Sequence, residues 1–328
     1  MSLYKAEARR LTKRRFVRWL VIGSLVVLAA IAVGMAFTNQ KVGPEQVAAA
    51  QAQAQAEYRQ SLRFAEEERK RCESTPGSDC TQLYTPTPED FQAEWYMPST
   101  FTFKEKFRDM VTTFAAIMAL AGFVIGASYV GAEWSSGGMM NLLLWRPQRL
   151  KVLATKLAAL LAGLAVLSVL VAAVWTVAFV VIGNLRGSMD GMTSGAWQSV
   201  ALTELRAVGL ILAAGAIGFG LASLGRHTAL ALGAAVGVIV LFQFGLYTVL
   251  SLARAPFAEA WLLPTWGIAW MDKTITLENT NGCDFSATSG CEPAKLTLTW
   301  PMAGGLMAVA LVLVVGAAMW TMRSRDIT

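Results

Sequence analysis

The side chains that could do chemistry are few. The chain has one histidine, His227, and four cysteines, Cys72, Cys80, Cys283 and Cys291. Each cysteine pair is eight positions apart in polar sequence, which fits either disulfides or a metal. Zinc pairs are normally separated by about two to four residues and draw on nearby histidines, so no metal site is expected. Four cysteines allow three pairings, and the spacing favours the two local ones, Cys72–Cys80 and Cys283–Cys291. No G-x-x-x-x-G-K-[ST] occurs. The nearest glycine-rich stretch, Gly215–Gly225, lies in an apolar run and leads into Arg226 and His227. Without the lysine and hydroxyl of a P-loop there is nothing to hold phosphates and Mg²⁺. H-E-x-x-H and G-x-S-x-G are also absent, so the chain is expected to be no enzyme and to carry no cofactor.

The densest mixture of charge and apolar residues is Gly131–Lys156, GAEWSSGGMMNLLLWRPQRLKVLATK. It opens with Glu133 and the pair Gly137 and Gly138. It continues through Met139, Met140, Leu142, Leu143, Leu144 and Trp145, and ends on Arg146, Arg149, Lys151 and Lys156. Pro147 breaks any helix running through Arg146. The pattern fits a short helix along a membrane face followed by a basic turn, or an interfacial loop with positive flanks. Elsewhere, polar groups inside apolar runs are scarce. Thr112, Thr113, Ser128 and Thr248 can satisfy themselves on their own helix backbone. Gln243 cannot, and its amide needs partners, either packing neighbours or a substrate.

These groups must be positioned by membrane helices. The chain is 55% hydrophobic and 15% charged over 328 residues, with a mean hydropathy of +0.48. Six charge-free runs reach the roughly 20 residues that a bilayer requires: Trp19–Phe37, Met110–Ala132, Leu157–Leu185, Ala207–Gly225, Thr228–Ala253 and Leu296–Met322. A β-barrel is excluded, since its strands would alternate polar and apolar residues. Residues 1–18 carry seven basic residues. Placing that end in the cytoplasm puts fourteen basic and three acidic residues inside, as the positive-inside rule requires of short loops. All four cysteines then lie outside, where oxidation favours disulfides. The basic residues form no single soluble face, which excludes a nucleic-acid partner.

The remaining segments follow. Residues 1–18 read as an amphipathic helix facing lipid phosphates, and residues 19–328 as a six-helix transmembrane domain. Residues 38–109 form an outer segment whose Ala-, Gln- and Glu-rich part, Pro44–Arg71, favours a long helix, with a partly disordered loop as the alternative. Gly122-x-x-x-Gly126 and Gly233-x-x-x-Gly237 are packing signals. Residues 254–295 combine an apolar stretch, Pro256–Met271, with a polar loop over 272–295. The stretch is too short to span and suits a re-entrant or interfacial helix.

The glutamate, glycine, leucine-rich turn, Pro-x-Arg and later lysine of Gly131–Lys156 resemble the segment between the second and third membrane helices of ABC transporter type 2 permeases. The layout of basic start, six spans and re-entrant segment before the last span resembles that family too. The resemblance implies a permease subunit of an ATP-driven exporter in the plasma membrane, with both termini cytoplasmic. It implies a homodimer of permeases joined to two copies of an ATPase subunit, which would hold the ATP and Mg²⁺. Glu133, Gly137, Leu144, Arg146, Arg149 and Lys156 would then couple to the ATPase. Phe114 and Met118 of the second helix, with Gln243 and Tyr247 of the fifth, would line the path of a small amphipathic or lipid-like substrate. Two other readings stay open. An ion-coupled secondary transporter is disfavoured because no run holds an internal charge. A membrane sensor or assembly protein built around the outer segment is the alternative.

Overall fold

The computed structural model describes residues 3–75, 80, 83–145, 148–279 and 293–324. The helices are α1 (Leu3–Lys13), α2 (Arg15–Thr38), α3 (Pro44–Glu73), α4 (Phe103–Ser135), α5 (Gly138–Trp145), α6 (Arg149–Arg186), α7 (Ser194–Gly225), α8 (Thr228–Val238), α9 (Tyr247–Leu252), α10 (Leu263–Asp272) and α11 (Trp300–Ser324). A π-helical segment, Ile239–Leu246, joins α8 to α9 without a break, so Thr228–Leu252 is one span. The described residues also include four short strands: β1 (Phe101–Thr102), β2 (Gly187–Ser188), β3 (Thr274–Asn279) and β4 (Ala294–Thr299).

Among the described residues, six helices are long and apolar enough to cross a membrane. The chain is an all-α polytopic membrane protein. Each span occupies one of the six charge-free runs, because only a helix can satisfy its own backbone in lipid. Several overrun the apolar core. The 38 residues of α6 extend about 57 Å at 1.5 Å per residue, against a hydrocarbon thickness of about 30 Å. Arg and Lys are good helix formers, so a charge marks where lipid ends, and the helix runs on.

The chain divides into two compact units. The first comprises Met1–Ala29, Phe107–Thr176 and Thr193–Thr328. In it α4 and α7 approach each other closely. A Cβ on Gly126 would overlap the carbonyl oxygen of Gly215, and one on Gly218 would overlap that of Phe123. Gly122-x-x-x-Gly126 is therefore a backbone-to-backbone contact. Gly233 and Gly237 have nothing within 4 Å of a Cβ, so among the described residues the second motif has no close packing partner. In the same unit, Trp270 of α10 donates its indole N–H to the Arg206 carbonyl (2.9 Å), and Arg108 lies 3.6 Å from Asp272. Burial pushes the Asp272 carboxyl above its usual range, and Arg108 pulls it back.

Here the structure corrects an expectation. Residues 272–295 were predicted as a polar loop and Leu296 as the start of the last span. Instead β3 and β4 form an antiparallel pair, in register from Thr274↔Thr299 to Asn279↔Ala294. The last helix begins at Trp300. The alternation of Ile275, Leu277, Leu296 and Leu298 with Thr, Glu and Lys is a strand period, and Leu277 and Leu298 are its buried face. The segment before it is a single 3-10 turn at Ala258–Trp261 followed by the ten residues of α10.

The second unit comprises Ala30–Lys106 and Val177–Met192. Its long helix, α3, packs Tyr58 against Phe91, ring centroids 5.7 Å apart. Cys72, near the end of α3, is bonded to Cys80. Phe101 and Phe103 are fully buried, Phe101 lies 5.3 Å from Phe179, and β1 pairs with β2 in parallel. Cys283, Cys291 and the turn at Pro76 and Gly77 lie outside the described residues.

Candidate functional site

The connection between α4 and α6 begins at Gly137, whose φ of +72° suits glycine alone at low cost. That turn reverses the chain into α5. Met139 and Leu143, four residues apart on one face of α5, are buried. They pack with Leu11 of α1, Leu153 and Leu160 of α6, and Met322 of α11. The other face carries Leu144 and Trp145, which are 80% and 87% exposed. Arg149, which opens α6, is half-buried, while Arg146 and Pro147 lie outside the described residues.

Both ends of this connection are held by a buried charge cluster. Lys156 is 0% exposed, and its ammonium lies 2.7 Å from Glu7 of α1 and 2.5 Å from Glu133 of α4. Arg14, between α1 and α2, lies 2.7 Å from Glu133 and also donates to the Ser128 carbonyl (3.0 Å). The Tyr129 hydroxyl donates to Glu7 (2.8 Å), and its ring sits under Arg14 and Lys156 at 5.1 and 5.3 Å. Two carboxylates thus face three cations: Lys156 is buried with Glu7, while Arg10 and Arg14 reach toward solvent. That pairing matters, because an unpaired buried charge costs several kcal/mol.

The cluster changes how two predicted coupling residues are read. Lys156 is internal, and Glu133 is buried except where it borders a cavity between α1 and α5; both hold the connection to its own helices. Sequence reasoning missed Glu7, Arg14 and Tyr129. Two signals were present. Glu7 is the only acid among the seven basic residues of 1–18. Lys156 interrupts the stripe Val152, Leu153, Ala159 and Leu160, all buried.

Above the cluster lies a cavity of about 860 Å³ between α1 and α5. Arg9, Arg10, Lys13 and Arg14 line one side, with Asn141, Leu142 and Trp145 on the other. Its one acid, Glu133, is already paired, so the cavity is open and strongly positive.

A family model of ABC-2 family transporter protein matches residues 1–317. The chain belongs to that family. No curated protein sequence matches it. As an ABC-2 family member it is a multi-pass membrane permease whose family associates with an ABC ATPase subunit.

The permease positions its predicted substrate-path residues unequally. Phe114 and Met118 are 0% and 3% exposed, and Phe114 stacks on Trp175 of α6 at 6.4 Å. Within one chain they line no open path. Gln243 sits in the π-helical segment, and its side-chain oxygen accepts from the backbone N–H of Leu263 (3.1 Å), the first residue of α10. Its amide nitrogen is buried and has no partner among the described residues, and Tyr247, one turn on, is half-buried. Gln243 thus ties the fifth span to α10. It leaves both N–H donors of the amide unused among the described residues, at a helix irregularity where functional sites often lie.

Proposed function

We propose that this chain is the membrane-spanning subunit of an ATP-driven ABC exporter of the plasma membrane, with both termini in the cytoplasm. Two copies work with two ATPase subunits, and the chain is not itself an enzyme; ATP and Mg²⁺ are held by the partner. The observation that carries this reading is the exposed pair Leu144 and Trp145 beside the positive cavity, on a connection braced at both ends by buried ion pairs. A braced apolar knob with a basic rim suits a groove lined by acids. Force applied to it passes into α4, α6 and α1 together. Glu133 and Lys156 brace, Gly137 sets the angle of α5, and Leu144 with Arg146 and Arg149 meets the ATPase.

Substrate passes between two copies, with Gln243 and Tyr247 better placed to meet it than Phe114 and Met118. Gln243→Ala is expected to change substrate-stimulated ATPase activity more than basal activity in reconstituted complexes. Equal loss of both would make Gln243 a packing residue only.

Arg149→Glu is expected to uncouple ATP hydrolysis from transport, or to prevent complex formation, while leaving the protein in the membrane. A variant that purified with its ATPase and transported normally would overturn the reading. Mass mapping of unreduced peptides is expected to find Cys72 linked to Cys80 and Cys283 to Cys291. Free thiols or crossed pairs would refute the local pairing.

A further inference from the structure

Away from the α1–α5 cavity, a second hollow opens on the side of α2. It has a volume of about 310 Å³, at the low end of the range for ligand pockets. Its floor is Leu11, Val17, Ile125 and Leu164, all buried; Val21 and Leu167 form its partly exposed walls. Arg18 and Ile22 stand at its edge, and the same two residues border an adjoining hollow of about 380 Å³ that also holds Arg15 and Trp19. An apolar slot therefore opens directly beside a cationic, tryptophan-bearing one.

Arg15 and Arg18 have no counter-charge of their own. Both are exposed, and neither makes an ion pair among the described residues. The hydrogen bond of the Arg18 guanidinium to the Lys13 carbonyl (3.4 Å) leaves its positive charge unmatched. The nearby acids Glu7 and Glu133 are already taken up by Lys156, Arg10 and Arg14. Lys13 and Arg14 add to the positive field. A second copy meeting this face with its own would set positive against positive.

We propose that the paired hollows are a binding site for one anionic phospholipid. Its phosphate lies between Arg15 and Arg18, its glycerol region lies against Trp19, and one acyl chain fills the slot floored by Val17 and Leu164. The apolar slot lies between α1, α2, α4 and α6, while the cationic hollow is a surface of α2 alone; basic residues at such a level attract anionic headgroups, and Trp favours the level at which they sit. The floor of the slot is wholly apolar, with Thr12 and Arg18 only at its margin, which suits a hydrocarbon chain. The site does not depend on the coupling reading, since it uses none of α5.

The test is native mass spectrometry of the full-length protein in neutral detergent, with phosphatidylglycerol and phosphatidylcholine of equal chain length at equal concentration. The wild type is expected to retain one phosphatidylglycerol per chain, about tenfold in preference to phosphatidylcholine. Arg15→Gln with Arg18→Gln, both exposed changes, should bring that ratio to about one. Val21→Trp, which fills the slot from α2, should remove the bound lipid; Leu167→Phe provides the same block from α6 should the first variant fail to fold. Leu241→Trp, on the exposed face of the fifth span, should leave binding unchanged. Glycerophosphoglycerol, which lacks acyl chains, should not compete. No preference in the wild type, a preference that survives loss of both arginines, retention despite a filled slot, or a lipid-free dimer that shields Arg15 and Arg18 would each overturn the proposal.

Discussion

Lys156→Met is expected to cost about 3–5 kcal/mol of stability, the range for removing one partner from a buried ion pair. The reason is what it leaves behind. Glu7 is 1% exposed and would keep only the Tyr129 hydroxyl and Arg10, which is itself half in solvent. Glu133 would keep Arg14. The Lys156→Met, Glu7→Leu double variant removes the orphaned charge with its partner and is expected to recover most of the loss, since apolar replacement of a buried pair is often neutral. Thermal unfolding in detergent measures both, and trypsin cleavage at Arg9 and Arg10 reports whether α1 has come loose. A single variant that melts with the wild type, or a double variant no better than the single, would contradict the bracing role.

Gly126→Ala is expected to be the most damaging methyl that can be added to the membrane helices. Its Cβ would fall on the carbonyl oxygen of Gly215, where neither backbone can yield without separating α4 from α7. Overpacking of this kind costs about 1–3 kcal/mol when side chains can move, and here the obstacle is backbone. Gly233→Ala is the control. Its Cβ would meet nothing within 4 Å, and a helical Gly→Ala change is worth roughly 0.5–1 kcal/mol in favour of alanine. Melting temperature and monodispersity should fall sharply for the first and hold or rise for the second. Equal behaviour would mean that the close approach of α4 and α7 is not what the structure describes.

That contrast marks how far the sequence could be read. The two G-x-x-x-G motifs are indistinguishable as text; only the placement of α7 tells which one is used. The six spans were legible because lipid forces backbone groups to pair within each helix, so each charge-free run long enough to cross holds a helix. Helix ends were not, since Arg15 and Arg186 continue a helix as readily as leucine would. Lys156 was read with Arg149 and Lys151 as a basic patch because they are close in sequence. On a helix it belongs instead with Val152 and Leu160, one turn either way. The β3–β4 pair was hidden because Leu296–Thr299 continues without charge into the last span, and absence of charge outweighed the period-two alternation. Gln243 was singled out for its unmet amide; its oxygen is used to start α10, and its nitrogen remains unused.

The coupling role of Gly131–Lys156 is tested most directly by photo-crosslinking from the membrane. A photoreactive amino acid is placed at Trp145, 87% exposed, and separately at Leu241, 67% exposed on the fifth span. Membranes are irradiated, and the adducts are identified by mass spectrometry. Position 145 is predicted to give peptides of a P-loop ATPase, more strongly than position 241. Adducts to lipid alone at position 145, or ATPase adducts that form equally from position 241, would contradict the assignment of this connection as the place where the ATPase engages the permease.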